Sequence, residues 1–199
     1  HVVIAMPSYS LSDSLLQHYG ARIPAMEHRY LNAALLLCRI DCDIVFVCSL
    51  APDPEVLAYL RDLVPPAVAN RMQRRVHHVA LDDPSPRPLA EKLLDRPDLL
   101  AGIRDLVGGR TAVIEPWNVT EHEVAVALEL GVPINGTAPA LRSTAFKSAG
   151  RTLFHRAGVP VPLGREDVHS VDDVAAAAEW VRASRPAVGA VVLKLDDSG

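Results

Sequence analysis

The chain has 199 residues, 49% of them hydrophobic and 22% charged, with a formal net charge of −4. That length and apolar content support a sizeable core without disulfide staples, and the acidic balance offers no footprint for nucleic acid. Apolar runs such as AALLL and AVVL fall far short of the ~18 residues that span a bilayer, so no membrane segment is expected.

VVIAM at 2–6 predicts a buried strand. No charged n-region precedes it, so a signal peptide is not expected and a cytoplasmic protein is. The loop that follows, PSYSLSDS, has no G-x-G-x-x-G, and the first glycine is Gly20. Without glycines the backbone cannot approach a pyrophosphate closely, which argues against a dinucleotide role. Ser8, Ser10 and Ser12 read as loop and cap residues that could also line a site at the strand end.

Pro24 opens a helix with Met26, Tyr30, Ala33, Ala34 and Leu37 on one face. Glu27, His28 and Arg29 read as a surface turn of that helix, and Leu35–Leu37 could serve a homodimer as easily as a core. IVFVCSL at 44–50 is a continuous apolar run, the pattern of a parallel strand buried on both faces. Cys38, Cys42 and Cys48 show neither disulfide nor zinc spacing and read as small core hydrophobes.

Asp53 and Pro54 form an N-cap and first helical position, with Val56, Leu57, Leu60, Leu63 and Val64 facing inward. A weaker edge strand at 75–80 contains His77 and His78, with no acid or cysteine at ligand spacing. DDPSPRP at 82–88 reads as a loop before two helices, roughly 88–95 and 97–107, the second ending at Gly108–Gly109. TAVIE at 111–115 is the next strand, and Thr120 with Glu123 forms a capping box for a helix that stops at Gly131.

This alternation predicts an α/β fold, a parallel sheet with helices on both faces, in a first domain over 1–136. NGTAPALRS at 135–143 reads as a boundary. Beyond it, Ser143 or Thr144 caps a helix that Gly158 ends. Ser170 and Asp173 cap another, running to about Ser184 with Val174, Ala177, Ala178 and Val181 inward, and AVVLKL closes the chain as a strand.

Two lysines in this second segment stand out. Lys147 falls in a first helical turn, where a cation opposes the helix dipole and an anionic ligand would remove the conflict. Lys194 follows the apolar run VVL, and a buried ammonium costs several kcal/mol unless it is paired. It pairs with Asp196 or Asp197, reaches solvent at the strand end, or shares a phosphate with Lys147.

The order K-x(n)-L-F-x-x-A-G-V-P-V-P-x-G, a helix, then V-V-L-K and a small-residue loop covers 143–199. It resembles the first subdomain of an ATP-grasp ligase. MEHRYLNAALLL, RPLAEKLLDRPDLL and TEHEVAVALELGVPINGT extend the likeness upstream, and the whole resembles the pheganomycin-type peptide ligases of that superfamily. The resemblance implies a Rossmann-like pre-ATP-grasp domain at 1–136 and the first α/β lobe of an ATP-grasp domain at 143–199. It implies an ATP- and Mg²⁺-dependent carboxylate–amine ligase acting on small amino acid or peptide substrates. In such enzymes a carboxylate takes the γ-phosphoryl group of ATP, and an amine then displaces phosphate to leave an amide. Lys147 and Lys194 match the phosphate-contacting lysines, Ser198 and Gly199 the start of the glycine-rich loop, and Arg151 a family position one turn after Lys147. Asp196 and Asp197 fall where relatives often carry less acidic residues. The family's Mg²⁺ ligands, adenine hinge and acyl-phosphate-stabilising arginine lie downstream of the matched stretch. No catalytic or metal-ligating residue is therefore assigned here, and the 199 residues alone are not expected to turn over. The alternative is a non-catalytic binding or interaction module with a degenerate ATP-grasp region.

Overall fold

In the computed structural model, which describes residues 1–196, the chain divides into two compact units, His1–Pro139 and Ala140–Gly199. The first is a mixed α/β unit. Its strands β1 (Val2–Met6), β2 (Asp43–Cys48), β3 (Val76–Ala80) and β4 (Ala112–Pro116) form one parallel sheet in the order β3-β2-β1-β4. The register pairs Val2 with Asp43 on one side of β1 and with Ala112 on the other.

Strand alternation divides the core between two faces. Ile4, Met6, Val45, Val47 and Ile114 pack with helices α5 (Leu89–Leu94), α6 (Pro97–Val107) and α7 (Glu121–Leu130). Ala5, Ile44, Phe46 and Cys48 pack with a 3₁₀ helix, Arg29–Cys38, and with α4 (Pro66–Arg75). Burial on both sides is why β2 reads as an unbroken apolar run. Gly108 and Gly131 end α6 and α7 in the left-handed region, at φ 56° and 66°, a conformation that costs a side-chain-bearing residue about 1 kcal/mol.

The structure departs from the sequence reading in several places. Helices α1 (Asp13–Tyr19) and α4 were not foreseen; α4 buries only Val68 and Met72, too few to show an apolar stripe. The helix after Pro24 is α2 (Ile23–His28) continued by the 3₁₀ helix, and its buried stripe is Ile23, Glu27, Leu31, Ala34 and Leu37. Glu27 is therefore a core residue, not part of a surface turn. Leu37 is buried, Leu35 and Leu36 face outward, and Cys38 is exposed where a core position was expected. On α3 (Pro54–Asp62), Asp53 caps the Glu55 N–H at 2.8 Å, but no residue is fully buried and Leu63 is exposed.

The second unit carries helices and, among the described residues, no strand. A 3₁₀ helix at Pro139–Ala145 replaces the expected Ser143 or Thr144 cap, and α8 (Lys147–Arg156) starts after Phe146 with no side-chain cap from that residue. Gly158 follows α8 at φ 71°. Helix α9 (Val171–Ser184) begins with the Ser170–Asp173 capping box, and of its apolar face only Val181 is fully buried. The segment 190–195 is not a strand, and Val192, Leu193 and Leu195 are 81%, 68% and 71% exposed. An apolar run becomes a strand only when a neighbour completes its hydrogen-bond ladder, and no described residue does so here. Lys194 is consequently exposed rather than buried. No helix among the described residues is long and apolar enough to cross a membrane.

Opposite the strands' C-terminal edge, Asp43 at the start of β2 accepts from Arg110 Nη1 at 2.5 Å and lies 3.7 Å from both Arg75 Nη1 and His77 Nε2. Burial pushes the Asp43 carboxyl up, but Arg110, with His77 and Arg75, outweighs it and holds the group below its ordinary value. The folded chain thus binds this proton less readily than the unfolded chain. The stability it contributes is full above about pH 4 and is lost as pH falls through the depressed folded value. Asp43→Asn is expected to flatten the acid limb of a stability-versus-pH curve measured by urea unfolding; an unchanged limb would refute the assignment.

Candidate functional site

Two places collect polar chemistry, one in each unit. In the first, the chain runs outward from β1 to β3 and then returns to β4, so the connection order reverses between β1 and β4. Open α/β sheets bind ligands at such a point, beyond the strands' C-terminal ends. Here the two loops are stitched together. Asn118 Oδ1 accepts from the Ser10 N–H at 3.1 Å, and its Nδ2 donates to the Ser10 carbonyl at 3.0 Å. Ser10 Oγ donates to Glu123 Oε1 at 2.5 Å, while Glu123 Oε2 accepts from the Thr120 N–H at 2.7 Å and hydroxyl at 2.6 Å. Ser8 Oγ accepts from the Ala90 N–H at 3.0 Å. The buried serines and Glu123 thus anchor loops and complete the α7 capping box.

Above this clasp, Trp117 is 55% exposed and leans on Tyr9 and Tyr30, with ring centroids 5.1 and 6.1 Å away. The tyrosine hydroxyls donate to the carbonyls of Met26 and Pro116, and burial raises both phenol pKa values. Sequence reasoning passed over Trp117; the available signal was an aromatic residue immediately after a strand at the sheet's C-terminal edge.

A second buried network lies at the same edge. Glu27 accepts from the Ser49 N–H at 2.6 Å and hydroxyl at 2.7 Å. Lys92 Nζ donates to Ser49 Oγ at 2.7 Å and to the carbonyls of Asp83 and Ser85 at 2.9 Å each. Burial pushes the Lys92 ammonium down, countered by Glu27, and pushes the Glu27 carboxyl up, countered by Ser49 and Lys92. Ser49 is fully enclosed and its proton is directed at Glu27, so the arrangement braces loops rather than presenting a nucleophile. Sequence reading missed Lys92 entirely, because a lone lysine on a helix reads as solvated.

In the second unit Lys147 is the first residue of α8, and its Nζ lies 3.4 Å from the Asp196 carbonyl oxygen. The Lys147 N–H donates to the same oxygen at 3.3 Å, and the Ser148 N–H donates to Asp196 Oδ1 at 2.7 Å. The Ser148 backbone, with Ser148's side chain and Lys147, holds the Asp196 carboxyl below its ordinary value. A carboxylate from 48 positions away in sequence therefore supplies the anion that the α8 N-terminus attracts. Arg151, one turn on, is engaged elsewhere: its Nε donates to Glu166 and its Nη1 to the Pro162 carbonyl at 2.9 Å. Lys194 is exposed two residues before Asp196. Ser198 and Gly199 lie outside the described residues. The structure thus brings together Lys147 and Asp196, and commits Arg151 to bracing the loop after α8. No group of three or more His, Cys, Asp or Glu side chains among the described residues is placed to hold a metal.

Comparison with known proteins adds a partial likeness. The chain is 34% identical over 96 residues to an IQ motif-containing protein H of Danio rerio, a stretch covering 47% of this chain and 9% of that protein. A match over so small a share of the relative shows no family. No family model and no solved structure matches the chain.

Proposed function

We propose that the chain is part of an ATP-dependent carboxylate–amine ligase of ATP-grasp type, acting on a small amino acid or peptide. The observation that carries the reading is the N-terminus of α8, where Lys147 and two backbone N–H groups converge on an anionic residue. A phosphate needs the same donors, a cation beside helical N–H groups. In this reading Lys147 and Lys194 would neutralise phosphate oxygens of ATP, which would supply the phosphoryl group, while Mg²⁺ would offset its charge. The protein's task is electrostatic: to hold carboxylate and γ-phosphate in line while negative charge builds. A cytoplasmic location accords with the buried Cys48 thiol, which burial pushes up to about 12 and keeps unreactive.

Mg-ATP is expected to raise the melting temperature of the chain, and Lys147→Ala to abolish the rise. The full-length protein is expected to release ADP when offered mixed amino acids. Neither a thermal shift nor ADP under any acid–amine pairing is the result that removes this reading.

A second reading, a non-catalytic binding module, draws support from the same place. The α8 N-terminus already holds the Asp196 carboxylate, and 190–195 lacks a ladder partner among the described residues. It leaves Mg-ATP without effect on the melting temperature.

A further inference from the structure

We propose that the second unit carries a separate binding site for a small organic acid, in the depression bordered by the last turns of α8 and the chain that follows it. The depression measures about 370 Å³ and is lined by Arg151, Thr152, His155, Arg156, Val161 and Glu166, among others. That volume falls at the lower end of the ~300–1,000 Å³ typical of small-ligand sites.

One wall is fixed before any ligand arrives. Arg151 donates to Glu166 and to the Pro162 carbonyl, so its charge and that of Glu166 cancel. A Cβ on Gly164 would lie 3.3 Å from Arg151 Nη2, so the glycine leaves room for the guanidinium to lie flat against the loop. Thr152 donates to the Ser148 carbonyl at 3.0 Å and is likewise held.

What remains is the Arg156 guanidinium, with the His155 ring beside it. Neither the Arg156 guanidinium nor the His155 ring makes a hydrogen bond or ion pair among the described residues, and both line the hollow. The helix dipole explains a cation such as Arg156 in the last turn of α8; it does not call for a hollow between Arg156 and His155 with Val161 in its wall. A carboxylate meets Arg156 in the planar two-point geometry that guanidinium favours, and a short apolar stem would lie against Val161. The site does not rest on the ligase reading, since it lies at the opposite end of α8 from Lys147.

The test is calorimetric titration of the chain with isovalerate, using isovaleramide as the uncharged match. Saturable binding is expected for the acid, with the amide about tenfold weaker. Arg156→Gln is expected to weaken the acid about tenfold with the melting temperature kept, because the residue is exposed, and His155→Ala is expected to weaken it in the same direction. No saturation, equal binding of acid and amide, or affinity unchanged in Arg156→Gln would each overturn the proposal. A Mg-ATP shift present or absent in the same sample reports on the ligase reading alone.

Discussion

Lys92→Met is expected to destabilise the first unit by about 3–5 kcal/mol, the range for removing one partner of a buried charged pair. Lys92 is 2% exposed, and its ammonium fills three acceptors: the Ser49 hydroxyl and the carbonyls of Asp83 and Ser85. Methionine fills the volume but leaves those oxygens without a donor, and it removes the countercharge from Glu27, which stays enclosed at 0% exposure. The acceptors come from the loops after β2 and β3, so the change releases both. Urea unfolding measures the effect. In a Glu27→Gln background the same substitution should cost less by about 1–3 kcal/mol, because no carboxylate is left uncompensated. A single-mutant cost under about 1 kcal/mol, or strict additivity, would show that the charges act independently.

Glu123→Ala is expected to cost about 3 kcal/mol, from three hydrogen bonds lost at a fully buried position. The carboxylate serves Ser10 with one oxygen and the Thr120 N–H and hydroxyl with the other. The substitution therefore removes the carboxylate half of the α7 capping box and frees the loop after β1 at once. Thr120→Ala, which touches only the cap side, should cost about 1 kcal/mol. Comparable losses for the two variants would show that the link to Ser10 contributes nothing. If the loops between β1 and β4 are held by this clasp, Glu123→Ala should also speed amide hydrogen exchange at Ser10, whose N–H donates to Asn118.

Much of the local structure was legible in the sequence, and the reasons are local. The Thr120–Glu123 and Ser170–Asp173 capping boxes each close within three residues. Asp53 caps a helix that begins at the next residue, and Gly108, Gly131 and Gly158 stop helices through their own backbone angle. The unbroken run of β2 reflects burial on two faces, so the parallel sheet followed from composition within six residues. The elements that escaped notice carried weak local signals: α4 is mostly polar, and the 3₁₀ helix turns at a different period from the one sought.

The candidate sites were less legible. Lys147 sits in the first turn of its helix as read, because that position depends on a few neighbours. The apolar neighbours of Lys194 predict a strand; the residue lies outside any strand and is exposed, the solvent-reaching alternative. The inference failed because a strand is a property of a pair: VVLKL carries the propensity, but its ladder needs a second chain segment.

By itself the sequence determined the α/β class, the ends of the helices with capping boxes or glycine stops, and the apolar faces of β2 and α6, all of which rest on interactions within a turn or along one strand. Only the tertiary structure decided where the charged and polar residues went. Glu27 meets Ser49 across 22 positions, Lys92 meets Ser49 across 43, and Ser10 meets Glu123 across 113. A carboxylate or ammonium on a helix reads as solvated until a partner from another loop arrives. Burial then turns an ordinary surface residue into a brace, because a charge removed from water must be satisfied by whatever the fold brings to it. Asp196 at the head of α8 is likewise placed by the fold, though it stays exposed: its neighbours in sequence say nothing about a helix that begins 49 positions earlier.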